Sequence, residues 1–300
     1  MVYDCIIIGA GPAGMAASVY LARQKLNFII LSKDVGGQTL LSADVENYLG
    51  FHLIDGVHLV EKFKEHLNDY KIELRQGISV NDVVKENNFI VKTDDGDFEG
   101  KTVLIATGEK HRELNVPGEK EYYGKGLSYC ATCDVPLFAD KIIAVVGGGN
   151  SALDAALFAL KYCPKVYIVN LNDKLTGDKG MLDNILNNSK VEVVYNAKTK
   201  EILGDKFVNG LKLDINGQER VLDVNGVFVE IGLMPASSFI NIVEKDKWGE
   251  IIVDKRNQTN VPGIFAAGDV TDITEKQIIV AAGEGGKASL EIIKYLQSKN

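Results

Sequence analysis

Two glycine-rich turns constrain this chain more than any other feature, because each is preceded by a short apolar run and followed by a helical pattern. The first is Gly9-Ala10-Gly11-Pro12-Ala13-Gly14, between an apolar run over residues 4–8 and a helix expected over 15–23. The second is Gly147-Gly148-Gly149-Asn150-Ser151-Ala152, between a run over 142–146 and the stripe Ala152, Ala155, Ala156, Ala159, Leu160. That stripe has the i, i+3, i+4, i+7, i+8 spacing of a buried helix face. A further apolar run closes each unit, at 27–31 and 166–169. Strand, turn, helix and strand, written twice, predict an α/β fold with two Rossmann-like dinucleotide-binding domains, each of three layers.

The glycines have separable tasks. The first permits the tight turn, the second lets the backbone approach a pyrophosphate, and the third packs helix on strand, with the helix N-terminus facing the phosphates. Gly9, Gly11, Pro12, Ala13 and Gly14 are therefore read as a dinucleotide site. The acid that grips a ribose hydroxyl is expected roughly 20 residues further on. Ser32 stands there, so Ser32 is assigned the contact. Near the other end, 261–267 is apolar and ends in Gly268-Asp269. The segment resembles the late flavin fingerprint of flavoprotein reductases that bind two dinucleotides; the plainer reading is a strand followed by a turn.

Three hundred residues suit two domains. A net charge of −8 argues against a nucleic-acid partner, which wants a basic face. No apolar run approaches the roughly 18 residues that span a bilayer, and Met1-Val2-Tyr3-Asp4 leads straight into the first strand without a leader. A cytoplasmic protein is the expectation. The four histidines lack ligand spacing, so no metal site is expected, and His111, beside Arg112, reads as surface. Domain junctions fall near 111–117 and 233–237, where strands run into proline-containing stretches.

Of the four cysteines, Cys5 and Cys163 sit in apolar patterns and read as small buried hydrophobes. Cys130-Ala131-Thr132-Cys133 leaves two readings. Half of a zinc site would need a second Cys or His pair, and the sequence has none; a redox dithiol needs only these two. Asp134 follows at once, either as a helix cap or as the group that carries a proton in thiol–disulfide exchange.

Taken together, Gly9–Gly14, Gly36-Gly37-Gln38, Val45-Glu46-Asn47-Tyr48, Ala106-Thr107-Gly108, Cys130–Asp134, Gly147–Ala152, Gly268-Asp269 and Lys276-Gln277-Ile278 resemble the low-molecular-weight thioredoxin reductases in order and spacing. The resemblance implies an FAD domain built from 1–112 and 236–300, and an NAD(P)-like domain over 113–235, inserted in the first and carrying the dithiol. It puts Gln38, Asn47 and Gln277 near the isoalloxazine ring and Thr107 and Gly108 near the FAD phosphates, with Gly37 also in the cofactor site. Asp269 would hold a ribitol hydroxyl beside Gly268, with Lys276 and Ile278 in the same motif. Cys133 would receive electrons from the flavin, Cys130 would attack the disulfide of thioredoxin, and Asp134 would move the proton. A homodimer and a rotation between domains are also implied.

The electron donor is where the chain departs from the family. NADPH-dependent members carry His-Arg-Arg and a further arginine after the second strand of the second unit. Here those positions are Asn170, Leu171, Asn172 and Thr176. Neither the acid that suits NAD nor the arginines that suit NADP are present, although Lys174 or Lys179 could compensate in part. Two or three lost charge-assisted contacts, at roughly 1.5–3 kcal/mol each, would weaken NADPH by orders of magnitude. The pattern resembles the ferredoxin-dependent flavin thioredoxin reductases and makes reduced ferredoxin the expected donor. The alternatives are an NADPH-dependent thioredoxin reductase with a divergent pocket, and a flavoprotein feeding a peroxiredoxin-type partner.

Overall fold

The computed structural model describes residues 1–42 and 45–299. The chain divides into two compact units, one made of Met1–Lys110 with Met234–Asn300, the other of His111–Leu233. In chain order the first unit opens with β1 (Val2–Ala10), α1 (Pro12–Arg23), β2 (Phe28–Val35), α2 (Gly56–Asp69), β3 (Leu74–Gln76), β4 (Val80–Lys85), β5 (Phe89–Thr93) and β6 (Gly96–Ile105), and β7 (Glu109–His111) leads out of it. The second unit holds β8 (Leu127–Ser128), α3 (Ala131–Asp134), β9 (Ile142–Val146), α4 (Asn150–Ala159), β10 (Lys165–Val169), α5 (Lys179–Leu186), β11 (Val191–Val194), β12 (Ala197–Gly204), β13 (Val208–Ile215), β14 (Gln218–Leu222) and β15 (Gly226–Val229). The chain returns through β16 (Leu233–Pro235) to β17 (Ile264–Ala266) and α6 (Ile278–Lys299).

The large sheet of the first unit runs β3-β2-β1-β6-β5-β4. β6 is parallel to β1 along one edge; along the other it pairs first with β5, antiparallel, and then with β17, parallel. β1 is apolar at successive positions because both its faces are covered. Cys5 and Ile7 join one core with residues of α1 and α6, while Ile6 and Ile8 join a second core with Ile29, Leu31, Val91 and Ile264. α1 and α6 approach closely: an added Cβ at Gly285 would collide with the Ala13 carbonyl.

The second unit repeats the theme. A parallel sheet β11-β10-β9-β15-β8 carries α4 on one face and the antiparallel meander β12-β13-β14 on the other. The architecture is the expected α/β fold with two Rossmann-like, three-layer units. Several boundaries differ from expectation. β1 covers Val2–Ala10 rather than 4–8, α1 begins at Pro12 rather than 15, and β2 continues to Val35, beyond the expected run. Among the described residues, no helix is long and apolar enough to cross a membrane.

Candidate functional site

The first glycine loop joins β1 to α1. Gly9 takes φ 107°, a left-handed conformation that favours glycine. Added Cβ atoms at Gly9 and Gly14 would collide with the carbonyls of Ala106 and Gly9 respectively, so both glycines are needed for packing. Gly11 is different: an added Cβ there meets nothing within 4 Å. Gly11 also caps α1 without a side-chain hydrogen bond, and Pro12 opens the helix. First-turn N–H groups with no side-chain cap suit an anion. Gly37, at φ 54°, brings its Cβ position 3.7 Å from Gly11 Cα, and its N–H donates to Asp34 Oδ1 at 3.2 Å. The Ser32 hydroxyl accepts from Ala10 N–H at 3.1 Å, so Ser32 anchors the loop from within β2.

Other expected site residues lie in the same unit. Gly268, at φ 78°, places its Cβ position 3.1 Å from the Ala13 side chain and so borders the loop. Asn47 Nδ2 donates to Gln277 Oε1 at 2.9 Å, joining residues far apart in sequence. Gln38 Nε2 donates to the Glu109 carbonyl at 3.3 Å. The Thr107 hydroxyl donates to the Ala236 carbonyl at 2.8 Å, and Gly108 accepts from Ala236 N–H at 2.9 Å. Lys276 Nζ donates to the carbonyls of Asp269 at 2.9 Å and Thr271 at 2.6 Å, and pairs with Glu250 at 2.8 Å. Burial pushes the Asp269 and Glu109 carboxyls up from their ordinary range, with Lys276 opposing both shifts. Ile278 is the first residue of α6.

The second glycine loop, between β9 and α4, has the same outline: Gly149, the counterpart of Gly11, caps α4 without a side-chain hydrogen bond, and an added Cβ there meets only the Thr176 hydroxyl, at 3.9 Å. Gly147 lies against the backbone of Glu230, where an added Cβ would collide with the Glu230 carbonyl. An added Cβ at Gly148 would collide with the amide oxygen of Asn170. The Asn170 side chain is buried and held there by two donations from Nδ2, to the carbonyls of Asn172 at 3.1 Å and Lys174 at 2.8 Å. Thr176 adds its N–H, at 2.8 Å, and its hydroxyl, at 3.3 Å, to the Gly148 carbonyl. Asn150 and Asp178 exchange two further bonds, of 3.3 and 2.8 Å. The segment after β10 thus folds back onto the loop. Leu171, Lys174 and Lys179 are exposed.

Cys130 and Cys133 form a disulfide with Cα atoms 5.4 Å apart. Cys130 is the N-cap of the four-residue helix α3, its Sγ accepting from Cys133 N–H at 3.2 Å, while its own N–H donates to the Ser128 hydroxyl at 2.9 Å. Cys133 is exposed and Cys130 half-buried. Asp134 ends the helix and stands at the N-cap position of the short turn that follows, without a side-chain capping bond.

One functional candidate escaped the sequence reading. Burial pushes the carboxyl of Glu230, just past β15, up to about 7, the Ala131 backbone opposing the shift and Asp154 adding to it. A lone acid closing the buried run Gly226–Val229 was the available signal. His111 also needs correction: it is half-buried, stacked on Tyr129 at 5.6 Å, with Nε2 buried and unpartnered. Burial lowers its pKa. Cys5 and Cys163 are buried thiols, pushed up to about 12 and about 11 by desolvation.

A family model described as pyridine nucleotide-disulphide oxidoreductase matches residues 3–285. The chain is 40% identical over 299 residues to a subunit of the alkyl hydroperoxide reductase of Staphylococcus aureus, covering 98% of this chain and 59% of that protein. It is 38% identical to an NADH dehydrogenase of Bacillus subtilis, covering 98% of this chain and 58% of that one. It thus spans somewhat under two thirds of the length of these relatives. Among solved structures, Lactococcus lactis thioredoxin reductase superposes with TM-score 0.86 at 35% identity, covering 99% of both chains. The thioredoxin reductase of T. acidophilum gives 0.84 at 40% identity, covering 100% of this chain and 99% of that one. A ferredoxin-flavin thioredoxin reductase of Clostridium acetobutylicum gives 0.56 at 33%, covering 99% of both. With a disulfide at Cys130-x-x-Cys133, two glycine loops of Rossmann type and a family match over most of its length, this chain belongs to the pyridine nucleotide-disulphide oxidoreductase family.

Proposed function

We propose that this chain is a thioredoxin reductase that binds FAD at the first glycine loop, takes electrons from reduced ferredoxin and passes them through Cys130–Cys133 to thioredoxin. The observation that carries the donor half is the segment after β10, where Asn170, Leu171, Asn172 and Thr176 stand and the Asn170 amide is turned to the carbonyls of Asn172 and Lys174. No arginine stands at 170, 171, 172 or 176 to grip a 2′-phosphate.

The first loop fits a dinucleotide because Gly11 presents open backbone beside an uncapped helix N-terminus. FAD, when bound, supplies a two-electron carrier. In this reading Gly9, Gly11, Pro12, Ala13, Gly14, Thr107 and Gly108 hold its phosphates and Ser32 its ribose. Gly268 and Asp269 take the ribitol, tied to Lys276 and Ile278 at the start of α6. Gly37, Gln38 and the Asn47–Gln277 pair border the ring. Cys133 receives the electrons, Cys130 attacks the partner disulfide, and Asp134 carries the proton that exchange must gain or lose. The enzyme acts in the cytoplasm as a homodimer.

Anaerobic mixing of the yellow protein with NADPH, NADH or reduced ferredoxin tests the donor. Bleaching of the flavin by ferredoxin alone is the expected result; fast bleaching by NADPH overturns it. A second reading has its own support. The relatives at 40% and 38% identity are named as a subunit of alkyl hydroperoxide reductase and as an NADH dehydrogenase. Bleaching by NADH, together with faster turnover on a peroxiredoxin than on thioredoxin, would select that reading. The cysteine roles are tested by trapping: Cys133→Ser leaves Cys130 free to form a stable mixed disulfide with the partner. Trapping by Cys130→Ser instead would exchange the roles and agree with the greater exposure of Cys133.

A further inference from the structure

The segment that leads into the dithiol is held by a carboxyl group with no part in the scheme above. Val116-Pro117-Gly118-Glu119 makes a tight turn, closed by Glu119 N–H on the Val116 carbonyl at 3.3 Å, with Gly118 at φ 83°. An added Cβ at Gly118 would collide with the Ile202 carbonyl, and Ile202 N–H donates to the Pro117 carbonyl at 3.0 Å, so the turn is fixed on β12. Glu119 is buried, at 4% exposure. Its oxygens accept from Leu114 N–H and Asn115 N–H, each at 2.6 Å, and from the Tyr129 hydroxyl at 2.7 Å. All three partners are donors, so the site suits a carboxylate and satisfies it. Burial, and then the bond to Glu119, push the Tyr129 phenol above its ordinary range, which keeps it a donor. The Tyr129 ring is stacked on His111 at 5.6 Å and tilted against Tyr123 at 5.7 Å.

Tyr129 directly precedes Cys130. On its other side Ser128 is fixed by the pairing of β8 with β15, and the Ser128 hydroxyl accepts from Cys130 N–H at 2.9 Å. We propose that Glu119 and Tyr129 are positioning residues of the dithiol, an anchor that holds the Cys130 side of the turn in place when the S–S bond is open. In the disulfide form that bond itself fixes Cys130 against Cys133, with Cα atoms 5.4 Å apart. Two electrons and two protons break it and leave two thiols. What then keeps the sulfurs within reach of each other is the α3 turn and the anchor. An anchor that restricts the open form raises the effective concentration of one sulfur at the other and so favours reclosure. It makes the pair a stronger reductant of a partner disulfide without touching either sulfur. In turnover the electrons come from the reduced flavin; in the test they come from dithiothreitol, which becomes its cyclic disulfide.

Removing the anchor loosens the open form more than the closed one, because the S–S bond holds the closed turn regardless. Freeing one residue of the open form corresponds to about tenfold in an equilibrium constant. Tyr129→Phe keeps the ring against His111 and Tyr123 and deletes only the hydroxyl. Its equilibrium with dithiothreitol should move toward the dithiol by about tenfold, which is about 30 mV for two electrons. Glu119→Gln should move it the same way. The double variant should move no further than the larger of the two single shifts, since the pair acts as one unit. Tyr123→Phe, which takes a hydroxyl from the exposed neighbouring ring, should leave the equilibrium in place.

The FAD-loaded full chain and its variants are equilibrated at neutral pH with mixtures of reduced and oxidised dithiothreitol, quenched by alkylation, and the labels on Cys130 and Cys133 are counted by mass spectrometry. Wild type should need about a tenfold higher ratio of reduced to oxidised dithiothreitol than Tyr129→Phe to be half reduced. Equal midpoints in these two chains overturn the proposal. An equal shift in Tyr123→Phe overturns it as well, since the effect would then belong to ring packing. Additive shifts in the double variant would overturn the pairing of Glu119 with Tyr129. Should Glu119→Gln not fold, the two tyrosine variants decide alone. The inference rests on a redox-active pair: if dithiothreitol leaves Cys130–Cys133 oxidised in every chain, it is that reading that fails.

Discussion

The two glycine loops of this chain share a sequence pattern, a strand–turn–helix setting and an open second glycine, yet the side chains that flank them differ. An added Cβ meets nothing within 4 Å at Gly11 and only the Thr176 hydroxyl, at 3.9 Å, at the equivalent Gly149. The difference lies in the strand that follows: Ser32 accepts from Ala10 N–H at 3.1 Å, whereas Asn170 lies against Gly148 and donates to the carbonyls of Asn172 and Lys174, with no arginine at 170, 171, 172 or 176. The glycine pattern alone does not tell which nucleotide a loop suits; the side chains after the second strand do.

This contrast can be broken by experiment. The largest effect is expected from Gly11→Val, which sets a branched side chain over the open face while the backbone, at φ −78°, tolerates it. The protein should fold but lose its yellow colour and at least about 100-fold in flavin affinity, equivalent to about 2.7 kcal/mol. Retained flavin would mean that the first loop does not cradle the cofactor. Next in size is the reverse operation on the second loop. Replacing Asn170 by His and Leu171, Asn172 and Thr176 by Arg removes the amide beside Gly148 and adds three cations. Flavin bleaching by NADPH should accelerate by about ten- to a hundred-fold, since one or two charge-assisted contacts contribute roughly 1.5–3 kcal/mol each. No gain would show that the choice of donor rests elsewhere than in these four residues.

Smaller still is Gly148→Ala. Its Cβ must displace Asn170, so a loss of about 1–3 kcal/mol in denaturant unfolding is expected, with flavin content and ferredoxin-driven bleaching unchanged. A fall in nicotinamide-driven activity without a stability change would favour a nucleotide over Gly148. The smallest signal comes from the thiols away from the site. At pH 8 the buried Cys163, at about 11, is about one part in a thousand thiolate, and Cys5, at about 12, less. Only two of the four cysteines should react quickly with a disulfide dye after reduction; four fast thiols would contradict the burial of both.

A pH profile sharpens the same comparison on the stability side. Glu230 titrates near 4.5 as an unperturbed group and at about 7 in the folded chain. The folded state therefore binds more protons between those values, and the group's contribution to stability is present below about 4.5 and is lost as pH rises through about 7. Glu230→Gln should flatten that part of the unfolding profile; an unchanged profile would show that the carboxyl is solvated.

Much of this was legible in the sequence because it depends on short-range pattern. The two βαβ units follow from apolar runs and helical spacing. The buried fates of Cys5 and Cys163 follow from their apolar neighbours. The Cys130-x-x-Cys133 spacing lets the pair close a small ring. His111 was misread because a polar neighbour, Arg112, suggested surface, whereas the ring stacks on Tyr129 from another part of the second unit.

What sequence alone determined is therefore the fold class, the two loops and the dithiol, each encoded within a dozen or so consecutive residues. Tertiary structure alone decided that Asn170 lies against Gly148, since its amide reaches there only when β10 lies beside β9. It also decided the burial of Glu230, which lies against Gly147 because β15 runs beside β9 in the same sheet. The physical reason is common to both: a side chain's charge state and reach depend on what packs against it, and in this chain those neighbours are 22 and 83 positions away in sequence.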